Sequence, residues 1–188
     1  MENEIISILN EDISVKEGIK KDVSLIRKIS EEIINAYKSN KKVVLFGNGG
    51  SAADAQHIAA EFVGKFYKDR ESLPSLAFHT NTSVVTATAN DFGYEYVFER
   101  QVSSFVNEGD IAIGLSTSGN SLNVIKGLEK AKELGATTIG FTGQKDNKIE
   151  KIVDYCLKIP SNDTPRIQEG HITVGHIICY LVEKELFG

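Results

Sequence analysis

A short, unbroken apolar run, Val43-Val44-Leu45-Phe46, opens straight into Gly47-Asn48-Gly49-Gly50-Ser51 and then into a helical pattern. A run of this length, set between Lys42 and a glycine, suits a parallel strand buried on both faces. The same order returns at Ile111 to Leu115, which leads into Ser116-Thr117-Ser118-Gly119-Asn120-Ser121 and another helical stretch. Further strand candidates lie at Leu76 to Phe78, Thr138 to Phe141 and Tyr155 to Ile159. Helical patterns fall at Ser51 to Phe66, Tyr94 to Val106 and Ser121 to Leu134, with a short one near Asn147 to Ile152. Such alternation requires right-handed crossovers and a sheet covered on both faces. The expected fold is therefore α/β, a three-layer sandwich around a central five-stranded parallel sheet of the doubly wound, Rossmann-like kind. Long helices flank it: one or two amphipathic helices within Ile5 to Tyr37, and a C-terminal helix over Pro165 to Leu186.

Composition narrows what such a fold can do. At 188 residues, 41% hydrophobic and 25% charged, the chain is expected to form one domain over residues 1–188, with residues 1–40 packing on it or on a neighbouring subunit. Met1 to Asn40 holds no long apolar run, which argues against a signal peptide or membrane span and for a cytoplasmic protein. The net charge of −5, with scattered Lys and Arg, lacks the footprint of a nucleic-acid binder. Cys156 and Cys179 form no CxxC pair, so they read as buried thiols rather than a disulfide framework or cysteine zinc cage. The expected ligand is small.

The two turns suggest its chemistry. Glycines at a strand-to-helix turn admit positive φ and close approach, and the helix N-terminus adds free N–H groups. Ser51 with Asp54 also fits a capping-box spacing, so helix initiation alone is the alternative reading. Gly47, Gly49 and Ala52 fit a relaxed dinucleotide fingerprint, yet the next strand ends in Phe78-His79-Thr80, with no acid for a ribose hydroxyl. In the second loop four hydroxyls and a glycine suit a phosphate held without fixed positive charge. A cap needs one hydroxyl, not four.

These segments, together with His57-x-x-x-Glu61, Asn90-Asp91-Phe92-Gly93 and Arg166-Ile167-Gln168-Glu169 followed by His171 and His176, resemble the phosphoheptose isomerases, a branch of the sugar-phosphate isomerase (SIS) family. The likeness covers nearly the whole chain. It implies an aldose-ketose isomerase that converts sedoheptulose 7-phosphate to heptose 7-phosphate in heptose biosynthesis, as a homotetramer with active sites between subunits. It further implies that Asn48, Gly49, Gly50, Ser51, Asn90 and Asp91 line the sugar site, with Gln168. Ser116, Thr117, Ser118 and Ser121 would hold the phosphate. His57, Glu61, Gln168 and His176 would bind one Zn2+ per subunit, with Glu61 and His176 the catalytic pair. A related class, SIS regulators that bind a protein partner such as a replication initiator, shares the fold and the serine loop but has no physical need of an acid-base pair.

The chemistry is consistent with that pair. Moving a proton between C1 and C2 through an enediol takes a base at carbon and a second group serving the two oxygens. His57 and Glu61, four residues apart, share one helix face, and an ordinary i to i+4 ion pair is the alternative on spacing alone. His176, among Val174, Ile177 and Ile178, would otherwise read as a core histidine. Gln168 and His176 stand roughly 12 Å apart along a helix, so one ion reaches both only if they lean together or different subunits contribute. His171 is left without a role, and His79 reads as structural.

Overall fold

The computed structural model describes residues 1–188. In chain order it contains α1 (Glu2–Ile19), α2 (Val23–Lys38), β1 (Val43–Gly47), α3 (Gly50–Val63), β2 (Ser75–Ala77), α4 (Thr82–Phe92), α5 (Val97–Phe105), β3 (Ile111–Leu115), α6 (Leu122–Glu133), β4 (Thr137–Gly143), β5 (Tyr155–Ile159) and α7 (Thr164–Phe187). Single 3₁₀ turns lie at Lys20–Asp22, Tyr94–Tyr96 and Ile149–Lys151. All five strands are parallel, as the alternation of elements predicts, and the structure orders them β2-β1-β3-β4-β5.

The apolar run of β1 lacks polar alternation because both of its faces are covered. Val43 and Leu45 enter one layer with Ile29, Ile33, Ile58 and Val174 from α2, α3 and α7. Val44 and Phe46 enter the other with Phe98, Val102, Val124 and Leu128 from α5 and α6. Burying a side chain of this size fully is worth roughly 1.5–3 kcal/mol, so the two layers fix which helices lie on which side. Gly175 faces Ile58 where a Cβ would collide, so the missing side chain lets α7 cross close to α3.

The ends of the chain contrast. α7 carries ten buried residues, whereas α1 buries only Val15 and Ile19 and leaves Ile5, Ile6, Ile8, Leu9 and Ile13 about half exposed. No helix is long and apolar enough to cross a membrane.

Some local expectations need correction. α4 was not expected from the sequence: Thr82-Ser83-Val84-Val85-Thr86 is rich in β-branched residues with weak helix preference. It forms because Asn81 caps it, accepting the Val84 N–H at 3.2 Å, and because Val85 and Ala89 pack against the core layer of Phe46 and Phe98. The helix expected to reach Phe66 ends at Val63, before Gly64, and that expected from Tyr94 begins as a 3₁₀ turn. Cys179 is buried as expected, but Cys156 is only partly so.

Candidate active site

The strand order changes direction between β1 and β3, where neighbouring chain segments leave on opposite faces and open a crevice at the carboxyl ends. Gly47 pairs with Leu115, so the glycine turn and the serine loop emerge side by side at that point.

In the glycine turn, Gly49 has φ +57° and forms the N-cap of α3; nothing lies within 4 Å of where a Cβ would stand. The dihedral, not crowding, requires glycine, and the space beside it is open to a ligand. Ser51 donates its N–H to Asn48 O at 3.1 Å, and Ala52 and Ala53 donate to Gly49 O. The N–H groups of Gly49 and Gly50 have no acceptor in the chain. The capping-box alternative fails, since no side chain caps α3. Ser51 is buried instead, and Asp54 has a buried, unpartnered Oδ2. Burial pushes the Asp54 carboxyl up to about 6, although His57 nearby pulls it down.

In the serine loop, three hydroxyls converge. Ser116 Oγ lies 2.9 Å from Ser121 Oγ and 3.4 Å from Ser118 Oγ, and Gly119 turns the chain at φ +62°. The N–H groups of Thr117 and Ser118 are unpaired, while Thr117 O accepts the N–H of Gly143 at 3.1 Å. A cavity of about 220 Å³ is lined by Thr117, Ser118, Gln144, Lys145 and Thr164 among others.

A reciprocal amide pair ties the two turns. Asn48 Nδ2 donates to Asn123 Oδ1 at 2.9 Å, and Asn123 Nδ2 donates to Asn48 Oδ1 at 2.8 Å. The Tyr94 hydroxyl also donates to Asn48 Oδ1, at 3.0 Å. Asn123 and Tyr94 are site residues that sequence reasoning missed. Each belongs to a turn or helix start whose neighbours are visible only through space. Asn90 and Asp91, at the exposed end of α4, bond to each other at 2.8 Å. Tyr94, which reaches Asn48, follows a few residues later.

The second centre lies further along α3. His57 Nε2 is 3.1 Å from Glu61 Oε1 and 3.3 Å from His176 Nε2, and the imidazole rings meet edge-on with centroids 4.9 Å apart. Three potential ligand atoms therefore lie within 4.8 Å of one another. Nitrogen and oxygen ligands about 2.0–2.2 Å from a tetrahedral zinc ion stand roughly 3.3 Å apart, so the donors and their spacing fit a metal of that size. Gln168 is elsewhere in the chain: its amide packs on Gly50, at the opposite end of α3, seven residues and about 10 Å of helix before His57. It faces the sugar-side turn.

The remaining histidines are apart from this centre. His171 is fully buried, packs on Phe141 and has Nε2 3.2 Å from Thr142 O. Burial holds its pKa down at about 4, against the raising effect of that hydrogen bond. His79 meets Gln56 at 3.3 Å, and burial likewise lowers its pKa.

The SIS domain family profile matches residues 12–143. The phosphoheptose isomerase of Clostridium acetobutylicum is 54% identical over 191 residues, spanning 100% of this chain and 97% of that relative. The chain belongs to the SIS family. Among its members, the phosphoheptose isomerase of Aquifex aeolicus is 59% identical across 81% of this chain and 80% of its own length. The solved structure of phosphoheptose isomerase GmhA from Neisseria gonorrhoeae superposes with a TM-score of 0.92 at 36% identity, covering 97% of this chain and 98% of that one. The SIS profile ends at residue 143, before α7, so the segment bearing Gln168 and His176 is matched by the full-length relatives rather than by the domain profile.

Proposed function

We propose that this chain is a phosphoheptose isomerase, converting sedoheptulose 7-phosphate to D-glycero-D-manno-heptose 7-phosphate, the first step of nucleotide-activated heptose biosynthesis. The observation that carries the reading is the meeting of Glu61, His57 and His176 beside a crevice framed by two unpaired N–H cradles. A regulatory scaffold has no use for that group, and the full-length likeness to phosphoheptose isomerases points the same way.

In this reading the serine loop holds the phosphate through Ser116, Thr117, Ser118 and Ser121, and the turn from Asn48 to Ser51 orients the sugar, with Gln168, Asn90 and Asp91. Glu61 takes a proton from C1 of the ketose while His176 gives one to the oxygen on C2, forming the enediol. Glu61 then returns its proton to C2 as His176 accepts the one on O1, leaving the aldehyde at C1 and the imidazole ready for another cycle. His57 holds one Glu61 oxygen and so fixes the carboxylate's direction. His57, Glu61 and His176 would hold one Zn2+ per subunit, which would polarise the substrate oxygens; Gln168 would join that set by leaning toward His176 or from a neighbouring subunit.

The half-exposed Ile5, Ile6, Ile8, Leu9 and Ile13 of α1 favour a covering partner, a role that neighbouring subunits of a homotetramer with shared sites would fill. The whole 1–188 chain would act as one SIS unit, in the cytoplasm. The test is a discontinuous assay with sedoheptulose 7-phosphate, with fructose 6-phosphate and ribulose 5-phosphate alongside. Turnover of the heptulose alone is expected; no turnover of any of the three, with Zn2+ supplied, would leave the regulatory scaffold.

A further inference from the structure

We infer that the buried Arg70–Glu183 ion pair is a positioning device for the catalytic group, locking the C-terminal end of α3 to α7 so that Glu61, His57 and His176 meet. The kinetic part of this inference rests on the isomerase reading; the geometric part does not.

The pair is nearly cut off from water, with side chains 2% and 4% exposed and Arg70 Nε 3.3 Å from Glu183 Oε2. Burying such charges gives little stability compared with apolar packing, so what they touch is the more informative observation. Arg70 spreads its guanidinium over the end of α3: Nη2 donates to Glu61 O at 2.8 Å and Nη1 to Phe62 O at 3.0 Å. Those carbonyls belong to the last turn of a helix, where intrahelical donors run out. The carbonyl of the proposed base is thus held directly.

Glu183 acts on the other side. Its carboxylate accepts the N–H groups of Phe66 at 2.9 Å, Tyr67 at 2.8 Å and Lys68 at 2.7 Å, folding the segment after α3 back onto α7. Burial alone would raise the Glu183 carboxyl, but these N–H bonds and Arg70 outweigh it and hold it below the usual carboxylate range. Phe66, fixed by this carboxylate, sets its ring 5.7 Å from that of His176. Glu183 itself stands seven residues, two helical turns, after His176 on the same side of α7. One ion pair therefore anchors the backbone of Glu61 and the aromatic support of His176. Neither residue belongs to a motif that marks the site in the sequence.

Two full-length variants test this. Arg70→Lys keeps the charge but replaces a fork that spans two carbonyls with a single ammonium. Glu183→Gln removes the charge while keeping the shape. Circular dichroism reports folding, and protein labelled with ¹⁵N-histidine has only four imidazole rings, two nitrogens each, to follow. The expected result is that the His57 and His176 signals move while those of His79 and His171 stay, and that kcat for sedoheptulose 7-phosphate falls tenfold or more with KM within twofold. Unmoved His57 and His176 signals, or a kcat within threefold of wild type, would overturn the inference. If Glu183→Gln does not fold, Arg70→Lys decides. If the wild-type chain turns over no heptulose, the isomerase reading fails and the histidine spectrum alone judges the ion pair.

Discussion

The two sides of the crevice are made of different material. Around Gly49 and Ser116 the donors are backbone N–H groups and short hydroxyls, each set by the turn it belongs to. At His57, Glu61 and His176 the groups are long side chains from α3 and α7, brought together by residues more than a hundred positions apart. A binding site made by a local turn should lose affinity gradually when altered. A reacting centre assembled by packing should fail abruptly.

The sharpest way to break that contrast is Glu61→Gln. It should lower kcat by about 10²–10⁴-fold while leaving folding and phosphate-ligand binding in place, as followed by steady-state kinetics and calorimetry. Near-normal turnover would remove Glu61 from the mechanism. Next in size is an effect of pH on stability, centred on His171. Its folded pKa of about 4 lies below the ordinary 6.5, so the unfolded chain binds a proton that the native one refuses. Stability should therefore be intact above about pH 6.5 and fall by on the order of 3 kcal/mol as pH drops toward 4. His171→Gln should flatten that slope in thermal melts taken across the range, and an unchanged slope would place the titration elsewhere.

On the binding side the effects should be smaller. Ser116→Ala with Ser118→Ala should raise KM by about thirtyfold, at roughly 1 kcal/mol for each of two neutral hydrogen bonds, with kcat nearly unchanged; a selective loss of kcat would erase the distinction between the two sides. Gly49→Ala should cost about 1–3 kcal/mol in a chemical melt, because φ +57° with ψ −122° is a backbone conformation that a Cβ penalises although nothing else obstructs it. Chelation addresses the other side: removing metal should lower turnover without changing the far-ultraviolet circular dichroism, and full activity in metal-free protein would exclude Zn2+ from the chemistry.

The same division decides what was legible in the sequence. The run Val43 to Phe46 and its glycine turn announce a buried strand and a helix start in nine consecutive residues, and a five-stranded parallel sheet follows from repeating that pattern, though not the order of its strands. Local signals failed where tertiary contact overrides preference, as in α4, whose threonines and valines read as anything but helix. The Ser51–Asp54 spacing misled for a different reason: Gly49, which has no side chain, is the N-cap, and Ser51 already lies inside α3. Asn123, Tyr94, Arg70 and Glu183 were invisible because each acts across a gap of many residues on a group that no spacing rule connects to it. Gln168 enters both the sugar site and the ligand set by resemblance, and the fold sets its amide against Gly50 on the sugar side.

The 2.9 Å contact between the Ser116 and Ser121 hydroxyls carries a calorimetric consequence. One hydroxyl already spends its hydrogen on the other, and an incoming dianion, which has no hydrogen to give, must swing that rotor round. Binding therefore exchanges one bond for another at this pair, and the heat released should be less than a count of new contacts suggests. Removing either hydroxyl frees the other in advance, so the two single losses should sum to something other than the double loss, a coupling that a thermodynamic cycle on these two serines would read directly.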